Sequence, residues 1–472
     1  MSIEDFQVVI GCEVHAQLLT RSKLFSSAGL AFGDAPNTHV TPVCLALPGA
    51  LPVLNERVVE LAMRAGLALG CRVNLRSEWS RKHYFYPDSP KGYQITQWEF
   101  PICEWGELGG VRIRRIHIEE DAGKSVHDAA DGLSLVDLNR AGTPLLEIVS
   151  EPDLRSADAT VEYLKALREV LMYVGVNDGN LDEGSFRCDA NVSVMRRGAT
   201  KLGTRCELKN LNSFTHIKLA IAAEVARQVE RIEAGGVIEQ ETRLFDVARG
   251  ETRPMRSKED AQDYRYFPEP DLPPLLVTEA EVARVRAALP ELPEARRHRY
   301  VASLGLTAYD AGVLTAQREL SELFEACLAA AKTEPRKVAN WFLGEVSRAL
   351  NESGLTPAQV RFTPAQLAAL LTAIDDGVIS LSAGKEVFAE LFATGAEPAD
   401  IIDRRGLQQV SDSGALARVV DEVLAGSPEN VASYRAGKVQ VLGFFVGQVM
   451  KAMKGKGNPK LINELLKQKL AG

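Results

Sequence analysis

Two runs of alternating apolar and polar residues, joined by a glycine-containing loop, constrain the fold of this chain more than any other stretch. They cover residues 186–194 and 204–209. Alternation with a period of two predicts strands that have one buried and one polar face, and the loop predicts that the strands pair as a hairpin. The polar positions of the two runs are Arg187, Asp189, Asn191, Ser193, Arg205, Glu207 and Lys209. The predicted hairpin therefore carries acids and cations together on one surface.

A surface of this kind has two interpretations. Asp189 and Glu207 supply oxygen ligands of the type that Mg²⁺ binds, and Arg187 and Lys209 supply charges that bind phosphate. The hairpin thus predicts a site that holds a divalent metal and a phosphorylated ligand together. The alternative is a solvated sheet face whose charges pair across the strands. The hairpin alone is compatible with both.

Composition narrows the class of protein. The chain has 472 residues, of which 46% are hydrophobic and 25% charged, which is enough for two to four globular domains. A net charge of -8 disfavours a uniformly basic nucleic-acid binder but permits a local basic surface. The seven cysteines contain no CxxC pair, which disfavours a zinc ribbon or a disulfide framework. Because no signal peptide or long apolar run is found, we expect a cytoplasmic protein without membrane contact.

The first strand of the chain offers a second set of ligands. Residues 6–18 alternate cleanly, so that Glu13 and His15 project from the same side. A Glu and a His two residues apart on a strand form a compact ligand pair for a metal. Ordinary surface polar residues are the alternative. In residues 111–125 the apolar phase slips, which predicts a β-bulge and leaves open whether Glu119 or Glu120 faces the polar side.

Two loops carry residues suited to binding a nucleotide or RNA. The segment 81–97 combines Lys82 with Tyr84 and Tyr86, which are able to stack on a base and contact a phosphate. Packing of the aromatic rings into the core is the alternative. Arg265 lies in a proline-rich segment and presents a guanidinium that can bind a carboxylate or a phosphate. Packing of Arg265 against neighbouring tyrosines for stability is the competing interpretation.

The overall pattern predicts an α+β fold with an antiparallel sheet, followed by a helical second half. Helices are expected after Asn55, Ser156 and Ser213, which are suitable N-caps. Beyond residue 278 the chain is rich in Ala and Leu at helical spacing. Residues 435–472 contain seven Lys, one Arg and one Glu, a local net charge of 8 - 1 = +7, which suggests contact with a polyanion. A solvated lysine face is the alternative.

Several long motifs occur in a fixed order along the chain. They are RKHYFYPDSPKGYQITQ, HIEEDAGKS, VDLNRAGTPLLEIVSEPD, FRCDANVSV, ELKNLNSF and DYRYFPEPDLPPL. With these motifs the chain resembles the B subunits of the bacterial aspartyl/glutamyl-tRNA amidotransferases over essentially its whole length. The resemblance implies a cradle domain similar in fold to glutamine synthetase, with a curved antiparallel sheet, over residues 1–290. It also implies an all-α helical domain over 291–405 and a small helical, tRNA-binding tail domain of the YqeY type over 406–472.

The resemblance also implies an activity and partners. The family phosphorylates the side-chain carboxylate of Glu on tRNA(Gln), or of Asp on tRNA(Asn), with ATP and Mg²⁺, and then replaces the phosphate with ammonia. The ammonia comes from glutamine hydrolysed in an amidase subunit, GatA, and a small GatC subunit completes the heterotrimer. Misacylated tRNA is the expected substrate, and the non-discriminating aminoacyl-tRNA synthetase is a further expected partner. The sequence does not decide between the two tRNAs.

Under this resemblance the candidate residues acquire roles. The expected Mg²⁺ ligands are Glu13, His15, Glu120, Asp189 and Glu207. The residues expected to act in catalysis are Glu120, Lys82, Arg187 and Lys209, the last three by contacting phosphate. The expected substrate-binding residues are Tyr84, Tyr86, Arg265 and Glu119, the last as a carboxylate at the mouth of an ammonia tunnel or one that supports the metal ligands. The choice of Glu120 over Glu119 rests on the resemblance and not on the strand phase.

Two other functions fit parts of the sequence. A tRNA-binding scaffold without chemistry of its own would need the basic tail but not the carboxylates. A stand-alone ATP-dependent ligase acting on a small carboxylate would need the carboxylates but has no use for the tail. Mutation of Glu13 or Glu120 separates the first of these from a catalytic subunit, and activity without tRNA would favour the second.

Overall fold

The computed structural model describes residues 3–130, 133–255, 265–409, 413–453 and 457–471. The chain divides into two compact units, Met1–Leu292 and Pro293–Gly472. The first unit contains all the named strands and the second is built of helices. The predicted α+β class, with an antiparallel-rich sheet and a helical second half, is confirmed. The domain boundaries at 290/291 and 405/406 remain predictions.

The first unit contains sixteen strands and four α-helices among its described residues. The strands are β1 Phe6–Gln17, β2 Arg72–Val73, β3 Arg76–Ser77, β4 Ser80–His83, β5 Tyr93–Thr96, β6 Cys103–Leu108, β7 Val111–Glu120, β8 Lys124–Ala130, β9 Leu133–Asp137, β10 Pro144–Ser150, β11 Phe186–Arg196, β12 Cys206–Leu211, β13 Thr242–Asp246, β14 Glu251–Pro254, β15 Tyr266–Pro268 and β16 Leu275–Leu276. The helices are α1 Glu56–Ala68, α2 Ala157–Tyr173, α3 Phe214–Glu233 and α4 Glu279–Ala287.

One twelve-stranded sheet dominates this unit. Its strand order is β14-β13-β12-β11-β1-β10-β7-β5-β4-β15, with β6 paired to β7 and β2 paired to β6. Neighbouring strands are antiparallel except β12 and β13, which are parallel. The long strand β1 lies at the centre between β10 and β11. Residues from distant parts of the sequence therefore meet on either side of β1.

The alternating residues of β1 explain why the sheet has one apolar face. Cys12, Val14 and Ala16 are fully buried in the main core. Helix α3 packs on β11 and β12, and α1 packs near β6 and β7. The predicted caps are confirmed, since the side chains of Asn55, Ser156 and Ser213 each accept a backbone hydrogen bond in the first turn of α1, α2 and α3. Helices cover the apolar face and leave the polar side chains on the other.

The predicted hairpin and bulge are both present. β11 pairs with β12 in antiparallel fashion, and Asn191 lies opposite Glu207. The second strand begins at Cys206, two residues later than the alternation indicated. A register shift in this pair coincides with Asn210, whose φ of 59° is in the left-handed region. In β7 the register skips Arg114, which places the bulge where the apolar phase slips.

The second unit has only helices as named regular structure among its described residues. They are α5 Pro293–Leu304, α6 Ala308–Leu314, α7 Arg318–Ala330, α8 Pro335–Trp341, α9 Ser347–Ser353, α10 Pro364–Asp375, α11 Leu381–Thr394, α12 Pro398–Arg405, α13 Ser413–Ala425, α14 Pro428–Arg435, α15 Val441–Ala452 and α16 Pro459–Leu470. A π-helical turn, Phe342–Val346, joins α8 to α9. One apolar core is built from residues 300–402 and a smaller one from residues 416–470. None of the described helices combines the length and apolar character that a membrane span requires.

Candidate functional site

The register of four adjacent strands brings the candidate residues together on the polar face of the sheet. Directly opposite residues on neighbouring antiparallel strands project from the same face. One row across β11, β1, β10 and β7 consists of Arg187, His15, Glu147 and His117. The next row in one direction contains Glu119 on β7 and Thr96 on β5. In the other direction, Asp189 lies opposite Glu13.

The first group, which we call the histidine–glutamate cluster, consists of His15, His117, Glu119 and Glu147. The Nε2 atom of His15 lies 3.6 Å from Oε1 of Glu119 and 3.5 Å from Oε2 of Glu147. The Nε2 atom of His117 lies 3.3 Å from Oε2 of Glu147 and 3.8 Å from Oε2 of Glu119. Ligand atoms of His15, Glu119 and Glu147 all lie within 4.8 Å of one another. This spacing is that of donors able to surround one ion.

The charges of the cluster are strongly coupled. Burial acts to raise the pKa of Glu119, but the charge of Lys82 and the nearby imidazole of His117 bring it down to about 2. Burial also opposes ionisation of Glu147, whose pKa is nevertheless held well below its usual range by His117 and His15. Burial disfavours charged imidazoles, yet the two carboxylates raise the pKa of both histidines. The two buried carboxylates are therefore ionised and require nearby positive charge.

The second group, which we call the carboxylate–lysine cluster, consists of Glu13, Asp189, Glu207 and Lys209. The Nζ atom of Lys209 lies 2.7 Å from Oδ2 of Asp189 and 3.1 Å from Oε1 of Glu207. Asn191 donates a hydrogen bond of 3.0 Å to Oε1 of Glu13. Burial and then the charges of Glu147, Glu207 and Asp189 raise the pKa of Glu13. The three acids of this cluster thus lie around a single lysine.

Arg187 lies beside the first cluster and pairs with a different acid. Its Nη2 donates a 2.9 Å hydrogen bond to Oδ2 of Asp121, which also accepts one of 3.2 Å from Gln17. Burial alone would raise the pKa of Asp121, but Arg187 and Arg140 lower it. The buried Nε of Arg187 has no hydrogen-bond acceptor within the described parts of the chain. Arg187 therefore retains a donor for a ligand.

Glu120 is not part of either cluster. It lies opposite Pro144 on β10 and faces the same side as Ile116 and Ile118. Its carboxylate pairs with Lys91 and accepts a 2.9 Å hydrogen bond from the backbone N–H of Ile95. The expectation that Glu120 joins Glu13 and His15 on the polar face is wrong as a matter of placement, because adjacent strand residues face opposite sides. Glu119 occupies that position, and the metal role of either residue stays a prediction.

The remaining predicted residues surround the clusters to different degrees. Lys82 on β4 lies 3.9 Å from Oε2 of Glu119. The Tyr84 and Tyr86 rings contact each other at 5.0 Å between centroids, and the Tyr84 hydroxyl donates to Asp88 at 3.4 Å. Arg265 is exposed and precedes Tyr266, which lies opposite Lys82. The substrate-binding roles of Tyr84, Tyr86 and Arg265 stay predictions.

Two members of the histidine–glutamate cluster, His117 and Glu147, were not predicted from the sequence. A signal for each is nevertheless present. Glu147 is the one charged residue in the strand PLLEIVS. A buried acid is costly unless a cation or a hydrogen-bond donor pairs with it. His117 and Glu119 repeat, in reverse order, the two-residue spacing of Glu13 and His15. Both signals gain meaning only when the strand order is known.

The fold and the site together define an α+β protein with a candidate catalytic sheet domain and a helical C-terminal region. Residues 8–283 match the GatB/GatE catalytic domain family, and residues 322–470 match the GatB domain family. A protein of Myxococcus xanthus, named as the B subunit of an aspartyl/glutamyl-tRNA(Asn/Gln) amidotransferase, is 62% identical over 478 residues, and the match covers all of both chains. Proteins of the same name from Anaeromyxobacter sp. (strain K) and Geotalea daltonii are 62% and 57% identical, over 100% and 99% of this chain and 100% of their own lengths.

The chain belongs to the family of B subunits of aspartyl/glutamyl-tRNA(Asn/Gln) amidotransferases. These are ligases that depend on glutamine for the amide nitrogen. The resemblance carried by the six sequence motifs is thereby confirmed.

Proposed function

We propose that this chain activates the side-chain carboxylate of Glu on tRNA(Gln), of Asp on tRNA(Asn), or of both, and converts it to the amide. The γ-phosphoryl group of ATP passes to the carboxylate and leaves ADP. Ammonia then bonds to the acyl carbon, and phosphate departs. The observation that carries this proposal is the histidine–glutamate cluster on the face of the sheet, within the region that matches the family's catalytic domain.

The residues of this cluster fit a divalent cation such as Mg²⁺. One imidazole nitrogen and two carboxylates converge, and these acids are buried and ionised. The contacts within the cluster are 3.3 Å or longer, which leaves these oxygens without a short hydrogen bond from either histidine. Bound between His15, Glu119 and Glu147, the ion would place positive charge beside phosphate oxygens. Glu13, Asp189 and Glu207 offer further oxygen ligands nearby.

The cationic side chains of this face are suited to holding the phosphates. Lys82, Arg187 and Lys209 all project among the carboxylates, and the Nε of Arg187 is a buried donor without an acceptor in the described chain. Phosphoryl transfer needs positioning and charge stabilisation more than a covalent nucleophile. Each cation is already held by a nearby acid, so its position is fixed before the phosphate arrives. The role of the chain is thus to orient ATP and the carboxylate.

The partners follow from the family. We propose that the chain works with GatA, which supplies ammonia, and with GatC, in the cytoplasm where aminoacyl-tRNA is made. The tail segment 435–472, with its net charge of +7, would bind the body of the misacylated tRNA. Tyr84, Tyr86 and Arg265 would contact its acceptor end. The synthetase that charges the tRNA would deliver it to the complex.

Reconstitution tests this function. The chain is combined with its partner subunits, misacylated Glu-tRNA(Gln) or Asp-tRNA(Asn), ATP and either glutamine or ammonium, and the amidated product is measured. We expect Glu147→Gln to lower the rate by about 100-fold or more with both nitrogen sources, because it removes a charged ligand. Glutamine hydrolysis by the partner should persist. The control, Glu162→Gln, changes an exposed acid of α2 and should leave the rate unchanged.

A scaffold function predicts the opposite pattern. In that case Glu147→Gln and Glu119→Gln would amidate at the natural rate, and removal of the basic tail would abolish the reaction. Full activity of the isolated chain without tRNA would instead favour a stand-alone ligase. Either result would overturn the proposal.

A further inference from the structure

Lys23 is a buried lysine without a carboxylate partner in the described structure. It is 1% exposed, and no described carboxylate oxygen lies within 4.0 Å of its Nζ atom. Nζ donates a 3.1 Å hydrogen bond to the carbonyl of Leu138 and contacts Sγ of Cys44 at 3.6 Å. A buried ammonium is costly unless an anion or strong acceptors compensate its charge. The group in position to compensate it is the sulfur of Cys44.

Cys44 is surrounded by hydrogen-bond donors. Besides Lys23, the hydroxyls of Ser26 and Thr41 each lie 3.4 Å from Sγ, and both are able to donate to it. Three donors around one sulfur favour the thiolate over the thiol. Burial acts to raise the pKa of the Cys44 thiol, but the hydrogen bonds from Ser26 and Thr41 and the charge of Lys23 hold it below its ordinary value.

The other cysteines provide a contrast within the same chain. All seven are unpaired and buried. Burial raises the pKa of Cys71 and of Cys327 to about 12, and burial with a nearby acid, Glu224, does the same to Cys206 despite the adjacent Arg227. Burial also raises the pKa of the Cys103 thiol. The pKa of Cys188 is raised first by a hydrogen bond and then by burial. Burial alone therefore does not explain Cys44.

Cys44 also borders a small cavity of about 20 Å³. Lys23, Ser26, Cys44, Lys91 and Glu120 are among its lining residues, and Cys44 is the one cysteine in that lining within the described chain. Lys23 has three N–H donors, and its contacts with Cys44 and Leu138 supply two acceptors. These two contacts leave one N–H of Lys23, which lines the same cavity, to be counted as a further donor. The sulfur of Cys44 and the amino group of Lys23 therefore contact each other and line the same space.

We propose that Cys44 is a reactive thiolate, and that it is the site at which a small hydroperoxide oxidises this chain. The sulfur attacks one peroxide oxygen, an S–O bond forms and the O–O bond breaks. Sulfur is oxidised to the sulfenic acid, and the peroxide is reduced. The departing alkoxide, or hydroxide when the peroxide is hydrogen peroxide, takes a proton from the Lys23 ammonium and leaves as the alcohol or as water, and the resulting amine regains a proton from solvent. The modification does not use any residue of the two clusters.

Other charges face the Lys23–Cys44 pair and contribute to its titration. Lys91, Glu120, Asp88 and Asp121 line the same cavity, and Asp137 acts on Lys23 from β9. Burial lowers the pKa of Lys23, whereas the charges of Cys44, Glu120 and Asp137 act to raise it.

The test measures the oxidation of each cysteine in the full-length chain. Hydrogen peroxide is added at pH 7, sulfenic acid is trapped with dimedone, and the modified peptides are quantified by mass spectrometry. We expect Cys44 to react at least about tenfold faster than Cys71 or Cys327, because the raised pKa of those two thiols leaves almost no thiolate at this pH, whereas the pKa of Cys44 is lowered. Equal rates for the three cysteines would overturn the proposal, as would modification of Cys71 alone.

A matched pair of lysine variants tests the role of Lys23. Lys23→Met should slow the reaction of Cys44 about tenfold, whereas Lys337→Met, which removes an exposed lysine of the second unit, should leave it unchanged. Should Lys23→Met fail to fold, the pH profile of iodoacetamide alkylation of the natural chain decides. A midpoint for Cys44 below the ordinary value of 9.0 supports the proposal. A midpoint at or above that value contradicts it.

Discussion

Two buried glutamates of the first unit illustrate the difference between a site and a structural ion pair. Glu224 on α3 has a low pKa because Arg227, Gln228 and Thr252 outweigh the effect of burial. Its oxygens accept hydrogen bonds of 2.7 Å from each of these three residues. Glu147 has a low pKa as well, but its contacts with His15 and His117 are 3.5 Å and 3.3 Å long. A saturated carboxylate stabilises the fold, whereas an unsaturated one retains capacity for a ligand.

The strongest test of this comparison replaces a buried glutamate in each region with glutamine, which has a similar shape but no charge. In the histidine–glutamate cluster, Glu119→Gln should lower amidation by about 100-fold or more while the chain stays folded, because the lost charge acts on the ligand. Amidation is measured with ammonium, which makes the result independent of glutamine hydrolysis. If the variant lost both its activity and the circular-dichroism spectrum of the folded chain, Glu119 would instead be a residue that stabilises the fold.

In the structural region the effect should fall on stability. Glu224→Gln removes one of the two acids that Arg227 and Arg243 share, the other being Glu241, and we expect it to destabilise the fold by about 3 kcal/mol. The free energy of opening is measured from amide hydrogen exchange in α3. Glu162→Gln, an exposed acid of α2, serves as the control and should change it by less than about 0.5 kcal/mol. Equal values for the two variants would show that the pairing around Glu224 is not stabilising.

The contribution of Glu224 should also depend on pH. Because the pKa of Glu224 is lowered in the folded state, the unfolded state binds more protons below the ordinary value of 4.5, and stability falls with the pH in that range. The stabilising effect is complete above pH 4.5 and is lost as the pH falls through the lower, folded value. The difference in α3 protection between the natural chain and Glu224→Gln should therefore shrink below pH 4.5. A difference that stays constant down to pH 3 would contradict this.

The carboxylate–lysine cluster is intermediate between the saturated Glu224 and the unsaturated Glu147. Of the substitutions considered, one in this cluster should have the smallest effect. Lys209 already binds Asp189 and Glu207, and its contact with phosphate is part of the proposal. We expect Lys209→Met to raise the KM for ATP about tenfold, which corresponds to about 1.4 kcal/mol, with a smaller change in kcat. Steady-state kinetics of the reconstituted complex measure both constants. An unchanged KM would mean that Lys209 serves only to balance the acids.

Local patterns were sufficient to predict the strands that carry the site. The alternation in β1 and β11 placed Glu13, His15 and Asp189 on one face, and the phase slip in β7 placed the bulge near Arg114. These features depend on residues close together in the sequence. The α+β class and the helical second half followed from the same periodicities.

The strand order could not be predicted in this way. β10 lies between β1 and β7 although β7 and β10 are separated in the chain by another hairpin, β8 and β9. Glu147 therefore meets His15 and His117 across pairings that no local pattern encodes. The choice between Glu119 and Glu120 could not be predicted from local patterns either, because a bulge changes which of two adjacent residues faces the site. Long-range register was the missing information.

Mn²⁺ binding tests most directly whether His15, Glu119 and Glu147 hold the divalent cation, which is the central claim. Electron paramagnetic resonance of free Mn²⁺, titrated with the full-length chain, gives the affinity in the absence of any reaction. We expect Glu147→Gln to weaken binding by about tenfold or more, and Glu120→Gln, on the opposite face, to leave it unchanged. Loss of binding in Glu120→Gln with natural affinity in Glu147→Gln would contradict the claim.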